Sequence, residues 1–222
     1  MVIYYIILYG FTCFNIQEYT RDKALKNVIF CNQKGGTGKS TICAELVLSL
    51  RRSGIITNFY DLDQQGGTIL EPSEVPGAEV SAIDTPGALT NELPDLIHEC
   101  DVVCIPVRPS ALEIDSLMVM LDAYTAHAKE GAKLVIIVNQ FTRWKSSRDF
   151  LAWVKKETKE TGAVIVTMMQ SETVIQAGAA RMSVIDFAPR SAAAVSAQEV
   201  VNVIRKAAGI RSERSKKGVS TK

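Results

Sequence analysis

Three short segments of this chain combine glycine, lysine, hydroxyl and carboxylate side chains in ways that suit phosphate chemistry. The first is Lys34-Gly35-Gly36-Thr37-Gly38-Lys39-Ser40-Thr41. A phosphate cradle needs consecutive backbone N–H groups turned inward and a helix N-terminus behind them. Glycines allow the close approach and the unusual torsions. Lys39 would reach the outer phosphates, and the Ser40 hydroxyl would take a place on a magnesium ion. The second segment is Tyr60-Asp61-Leu62-Asp63-Gln64-Gln65-Gly66. A carboxylate at such a place can orient an attacking water or accept its proton late in the reaction. Turn or helix-capping acids are the plainer reading. The third is Ala82-Ile83-Asp84-Thr85-Pro86-Gly87. An acid closing an apolar strand near Ser40 can hold a magnesium-bound water, and the loop after it can change conformation when a phosphate leaves.

The elements around these segments must place them together. Apolar runs at residues 28–31, 55–60, 80–83, 102–107, 134–138 and 164–168 read as strands. Helical patterns at residues 40–53, 91–99, 112–129, 147–160 and 192–208 lie between or after them. Continuous apolar strands separated by amphipathic helices imply an α/β fold, with a mostly parallel central sheet covered by helices on both faces. In such sheets ligands bind beyond the carboxyl ends of the strands, and all three segments sit at such ends. Residues 63–80 depart from this rhythm. Gly66, Gly67, Pro72, Pro76 and Gly77 fall there without helical periodicity, so the stretch reads as an irregular loop.

With 222 residues and 47% hydrophobic side chains, the chain suits one well-buried core and leaves little room for a second. The expected organisation is an extension over residues 1–26, a body over 27–209 and a basic tail over 210–222. There are 25 basic and 24 acidic residues, so the molecule is no polycation. The tail, however, holds Arg211, Arg214, Lys216, Lys217 and Lys222 against the single acid Glu213, and it reads as disordered. Residues 1–14 are apolar, too short to span a bilayer and without the basic start of a signal peptide. A mistaken start site, an extra strand or helix, and a membrane-touching anchor all fit them. Five cysteines form no C-x-x-C pair, which suits reduced thiols and a cytoplasmic setting. Cys100 and Cys104 could in principle share a metal, but Cys104 falls in an apolar strand. His98 and His127 lack a partner at useful spacing and read as surface residues. Trp144 and Trp153 stand among Arg143, Lys145, Arg148, Lys155, Lys156 and Lys159, which invites a DNA-binding reading. Glu157 and Glu160 share that helix, so a solvated face fits equally.

The ordinary loop pattern, G-x-x-x-x-G-K-[ST], asks for glycine where Gln33 stands. Gln33 followed by Lys34-Gly35-Gly36-Thr37-Gly38-Lys39-Ser40 resembles the deviant Walker A loop of the ParA/MinD superfamily of P-loop ATPases. Asp61-Leu62-Asp63-Gln64-Gln65-Gly66 is similar to that family's D-x-D-P-Q-G segment, with Gln64 in place of proline. Residues 82–87 resemble its Walker B and switch region. The resemblance covers residues 27 to about 208. It implies a P-loop fold binding ATP and Mg2+, with Gly35, Gly36, Thr37, Gly38, Lys39, Ser40 and Thr41 around the phosphates. Ser40, Asp84 and Asp61 would serve the metal, and Asp63 would activate water. Lys34 would reach across a nucleotide-sandwich homodimer to the partner's ATP and stabilise charge there as an arginine finger does. Asn139 matches an asparagine that contacts adenine, and Pro189, in Phe187-Ala188-Pro189-Arg190-Ser191, matches a segment that packs near the base. Plain turn chemistry would also account for both.

Within the family, small size, Asp-Leu-Asp-Gln-Gln-Gly and Ala-Pro-Arg-Ser are most like a plasmid- or mobile-element-type ParA. Matching cysteine ligands of the nitrogenase iron protein are not seen. MinD-type members end in an amphipathic membrane helix, whereas here Val200, Val203 and Ile204 form a modest apolar face before the basic tail. The resemblance therefore implies slow ATP hydrolysis, stimulated by a ParB-like centromere-binding adaptor. It also implies ATP-dependent, non-specific DNA binding by a homodimer on the nucleoid, in the cytoplasm, with a membrane not expected as a partner. The rival is a MinD-like membrane-cycling ATPase with residues 1–14 as its anchor.

Overall fold

Six apolar runs form six parallel strands in a computed structural model that describes residues 25–63, 68–88 and 91–210. They are β1 (Lys26–Phe30), β2 (Thr57–Asp61), β3 (Val80–Asp84), β4 (Val102–Val107), β5 (Lys133–Phe141) and β6 (Val164–Met169). Their order across the sheet is β2-β3-β1-β4-β5-β6. Phe30 is paired with Asp84 on one side and Cys104 on the other, so β1 ends level with β3 while β4 runs on to Val107. The chain reaches β3 on one side of β1 and then crosses to β4 on the other. The crevice at their carboxyl ends is the topological switch point where such sheets bind ligands.

Side chains on each strand alternate between two cores, as the two-residue period demands. Val28, Phe30, Phe59, Ala82, Cys104, Ile137 and Met168 face one layer. That layer holds helices α1 (Lys39–Arg52) and α7 (Ala192–Ala207), with Ile42, Leu46, Val201 and Ile204 buried against the sheet. Ile29, Cys31, Ile83, Val103, Ile105 and Val138 face the other. There α2 (Leu93–Glu99), α3 (Ile114–His127) and α4 (Lys145–Glu157) contribute Ile97, Leu117, Met120, Phe150 and Val154. Helices therefore cover both faces, as expected.

Several boundaries differ from the sequence pattern, each for a local reason. Helix α2 begins at Leu93 rather than residue 91, because Pro94 fits the first turn, where no N–H is needed. The stretch from residue 112 opens with a 3-10 turn, Ala111–Glu113, whose cap Ser110 accepts from the Leu112 N–H. Helix α4 starts at Lys145, two residues early, and a 3-10 turn at Lys159–Thr161 replaces its expected end. Two short helices fall where no pattern is legible: α5 (Glu172–Ala179) and α6 (Val184–Phe187). The long connection before β3 contains no helix among its described residues and bonds to β2 through Phe59 and Ser73. Residues 64–67 of the second motif lie outside the described residues, as do most of the expected extension and tail. Ile210 does not run free: its N–H donates to Arg205 O, and its side chain packs on the first core.

Candidate nucleotide site

The glycine-rich segment joins β1 to α1, as a phosphate cradle requires. Gly38 caps α1 at φ 98°, a left-handed torsion that disfavours any residue with a Cβ. Space forbids one as well: a Cβ there would lie 2.1 Å from Asn139 Nδ2. No side chain caps the first turn of α1 and no acid sits in it, which leaves its amides for a ligand's oxygens. Gly35, Gly36 and Thr41 are exposed, and Gly38 and Ser40 half-buried, so the loop's rim faces solvent. Thr37 is buried at its base. Lys39 is 5% exposed and folds across the loop, its Nζ donating to Lys34 O at 3.2 Å. Burial pushes its ammonium below the ordinary range, while Asp84 and then Asp63 pull it back up. One acid from each flanking motif is thus an electrostatic neighbour of this lysine.

Asp84 closes β3 and is fully buried. Burial raises its carboxyl from the ordinary 3.8 to about 6, opposed first by the Ser40 hydroxyl and aggravated by Asp61. Ser40 is close enough to moderate this shift, yet neither Asp84 Oδ1 nor Oδ2 has a partner in hydrogen-bonding geometry. Two buried acceptors left open are rare and ask for an explanation. A hydrated magnesium ion between Ser40 and Asp84 would satisfy both, so the residues present fit that metal.

Asp61, expected to serve the metal, also braces the neighbouring acid. Its Oδ1 accepts from the Asp63 N–H at 2.9 Å, which fixes the turn that carries Asp63. Burial also raises the Asp61 carboxyl. The Leu62 N–H donates to Asp84 O, tying the second motif to the third. Thr85 anchors the switch segment through its hydroxyl on Phe30 O at 2.9 Å. Gly87 then lies against the loop, where a Cβ would come within 3.0 Å of Gly35 backbone. A shift in either segment must therefore be felt by the other.

The remaining expected residues take different places. Asn139, 8% exposed, donates from Nδ2 to Thr37 O at 2.8 Å, so its amide braces the loop. Pro189 is exposed between α6 and α7, and Ser191 after it caps α7 through the Ala194 N–H. Lys34 donates from Nζ to Leu112 O of its own chain. The cysteines among the described residues are buried free thiols, and burial pushes Cys31 up to about 12, which suits packing and not reactivity.

Two parts of the site are not evident in the sequence pattern. Asn32 is buried and bridges three elements: Nδ2 donates to Pro106 O at 2.7 Å, while Oδ1 accepts from the Ser116 hydroxyl and the Lys34 N–H. Arg108, just past β4, pairs with the wholly buried Glu113. The position rule for strand ends would have drawn attention to Arg108. The same rule reaches Asn32, two residues past β1, whereas nothing local marks Glu113.

A family model described as the CobQ/CobB/MinD/ParA nucleotide binding domain matches residues 28–184. No curated protein matches the chain. Among solved structures it is similar to the ATP complex of a Cyanothece McdA variant, at 17% identity and a TM-score of 0.69, covering 86% of this chain and 99% of that one. It is also similar to a ParA family ATPase from Chlorobium tepidum TLS, at 16% identity and a TM-score of 0.63, with coverage of 80% and 98%. A third is the septum site-determining protein MinD of Pyrococcus horikoshii OT3, complexed with Mg-ADP: 13% identity, TM-score 0.58, coverage 85% and 99%. At these identities the likeness is one of fold.

Proposed function

The chain belongs to the CobQ/CobB/MinD/ParA family of nucleotide-binding domains, and from that premise we propose that it is a ParA-like ATPase acting in DNA partition. The observation that carries the ATPase reading is Asp84, buried with both carboxylate oxygens open beside Ser40 and Lys39. Such an arrangement suits a metal-bound triphosphate and has no evident purpose without one. In this reading the amides of residues 35–39 and the Lys39 ammonium hold the phosphates, and Ser40 and Asp84 hold Mg2+. The metal supplies charge neutralisation at the outer phosphates when bound. Asp63, kept in place by Asp61, orients the attacking water. Lys34 exchanges its Leu112 carbonyl for the nucleotide of a second copy, completing a sandwich homodimer.

DNA binding is the finer part of the proposal. It is supported by Arg143, Lys145, Arg148, Lys155 and Lys156, all exposed on or just before α4, with Trp144 beside them 74% exposed. One such patch on a nearly neutral molecule attracts DNA weakly, and two copies side by side roughly double the number of counterions released. ATP-driven dimerisation would thus switch binding on, and a ParB-like centromere-binding adaptor would switch it off by stimulating hydrolysis. No helix among the described residues is long and apolar enough to cross a membrane.

The test is fluorescence anisotropy on random duplex DNA with ATP, ADP or no nucleotide, across a salt series. Binding with ATP alone, falling steeply with salt, is the expected result. Binding that is absent or equal in all three states would overturn the partition reading. ATP-dependent pelleting with anionic vesicles in place of DNA would favour the membrane-cycling rival.

A further inference from the structure

Arg108 is held in an asymmetric way. Its Nε and Nη2 both donate to Glu113 Oε1, at 3.0 and 2.6 Å. Its Nη1 faces the phosphate loop, where a Cβ on Gly36 would lie 3.8 Å away. The carboxylate is wholly buried, whereas the arginine side chain remains 40% exposed. The second carboxylate oxygen, Oε2, is buried with no hydrogen-bond partner.

As a brace for the turn after β4, this is a poor arrangement. A desolvated carboxylate with one oxygen open destabilises the fold, and an apolar pair would hold the same turn without that cost. What the pair does achieve is orientation. With two nitrogens committed to one oxygen, the guanidinium plane is fixed and the third nitrogen points at the loop. Arginine suits phosphate through this planar fork, and it keeps its charge where a buried lysine loses some. The exposed part of Arg108 shares the wall of a cavity of about 540 Å³ with Lys34 and Gly35, so it faces the space in front of the loop. Lys39 lies within the loop, its Nζ on Lys34 O, and Arg108 stands outside it beyond Gly36.

We infer that Arg108 is a further phosphate-contacting residue of this site, and that Glu113 is the residue that positions it. The inference rests on reading the loop as a nucleotide cradle, and the group recognised is the outer phosphate of a nucleoside triphosphate. An arginine there adds a cation where charge gathers during phosphoryl transfer.

The experiment is calorimetric titration of Mg·ATP and Mg·ADP, with the melting temperature of each nucleotide-free protein taken alongside. The variants are Arg108→Lys, Arg108→Ala, Glu113→Gln, Arg108→Ala with Glu113→Gln, and Lys39→Ala. The double variant removes the arginine without stranding a buried charge, so it should melt near the wild type. It should lose roughly 10- to 100-fold in ATP affinity, the worth of a charge-assisted hydrogen bond, and much less for ADP. Arg108→Lys should recover part of the loss. Glu113→Gln alone should weaken ATP binding, and it should add nothing once Arg108 is alanine, as a residue acting through another must. Wild-type ATP affinity in the double variant, with binding abolished in Lys39→Ala, would overturn this inference alone. Equal losses for ATP and ADP would overturn the outer-phosphate assignment. Wild-type affinity in Lys39→Ala would overturn the cradle itself.

Discussion

Replacing Asp84 by asparagine should stabilise the nucleotide-free protein at neutral pH while damaging its use of magnesium. The reasoning runs from burial. In the folded chain the Asp84 carboxyl releases its proton near pH 6, whereas in the unfolded chain it does so near 3.8. Below 3.8 both states are protonated, and the side chain carries no ionisation cost. As pH rises, the unfolded state ionises first, so stability is lost from about 3.8 until the folded group has ionised near 6. Fully developed, that displacement corresponds to about 3 kcal/mol. Asparagine has nearly the same shape and never ionises. The variant should therefore match the wild type near pH 4 and exceed its melting temperature by roughly 6–12 °C at pH 7.5, in EDTA. Glu45 and Asp61 also have raised carboxyls, and Asp101 a lowered one, so the informative quantity is the difference between the two proteins at each pH. Magnesium should strengthen ATP binding by the wild type and have little effect on the variant. A variant less stable than the wild type at pH 7.5, or a difference that does not grow between pH 4 and 6.5, would refute the reasoning.

Other expectations follow from the same geometry. Asp63→Ala should bind ATP and accumulate as a dimer, read by light scattering, because water activation is lost and phosphate contacts are kept. Lys34→Ala should lose dimerisation or turnover; wild-type hydrolysis by both variants would show their roles are misassigned. Gly38→Ala forces a Cβ into Asn139 at a left-handed torsion, so it should cost about 1–3 kcal/mol in denaturant melts and displace Asn139 from the loop. Reversing charge at Arg148, Lys155 and Lys156 should flatten the salt slope of ATP-dependent DNA binding. An unchanged slope would move the contact to the basic residues after 210.

Much of this was legible from local pattern. The strands were evident because a buried parallel sheet needs continuous apolar runs, and the loop was evident because its glycines, lysines and hydroxyl serve phosphate in any fold. Helices α5 and α6 were not, since α5 buries only Ala177 and α6 is four residues long, too short for periodicity. The resemblance assigns the Asn139 amide to the base, and only the packed loop shows that its Nδ2, from within β5, braces Thr37 O. Glu113 is the plainest case. In sequence it is an acid near a helix start, an ordinary surface choice, and its complete burial shows only once the turn after β4 folds it back against Arg108. The electrostatic state of Asp84 is likewise a product of tertiary packing and leaves no trace in the residues beside it.

The central claim is that residues 34–41 cradle the phosphates of a magnesium-bound nucleoside triphosphate. Calorimetric titration of Mg·ATP into the wild type and into Lys39→Ala tests it most directly, with circular dichroism confirming that both are folded. The account predicts saturable, stoichiometric binding by the wild type that is lost in the variant. Undiminished binding by folded Lys39→Ala, or none by the wild type, would contradict it.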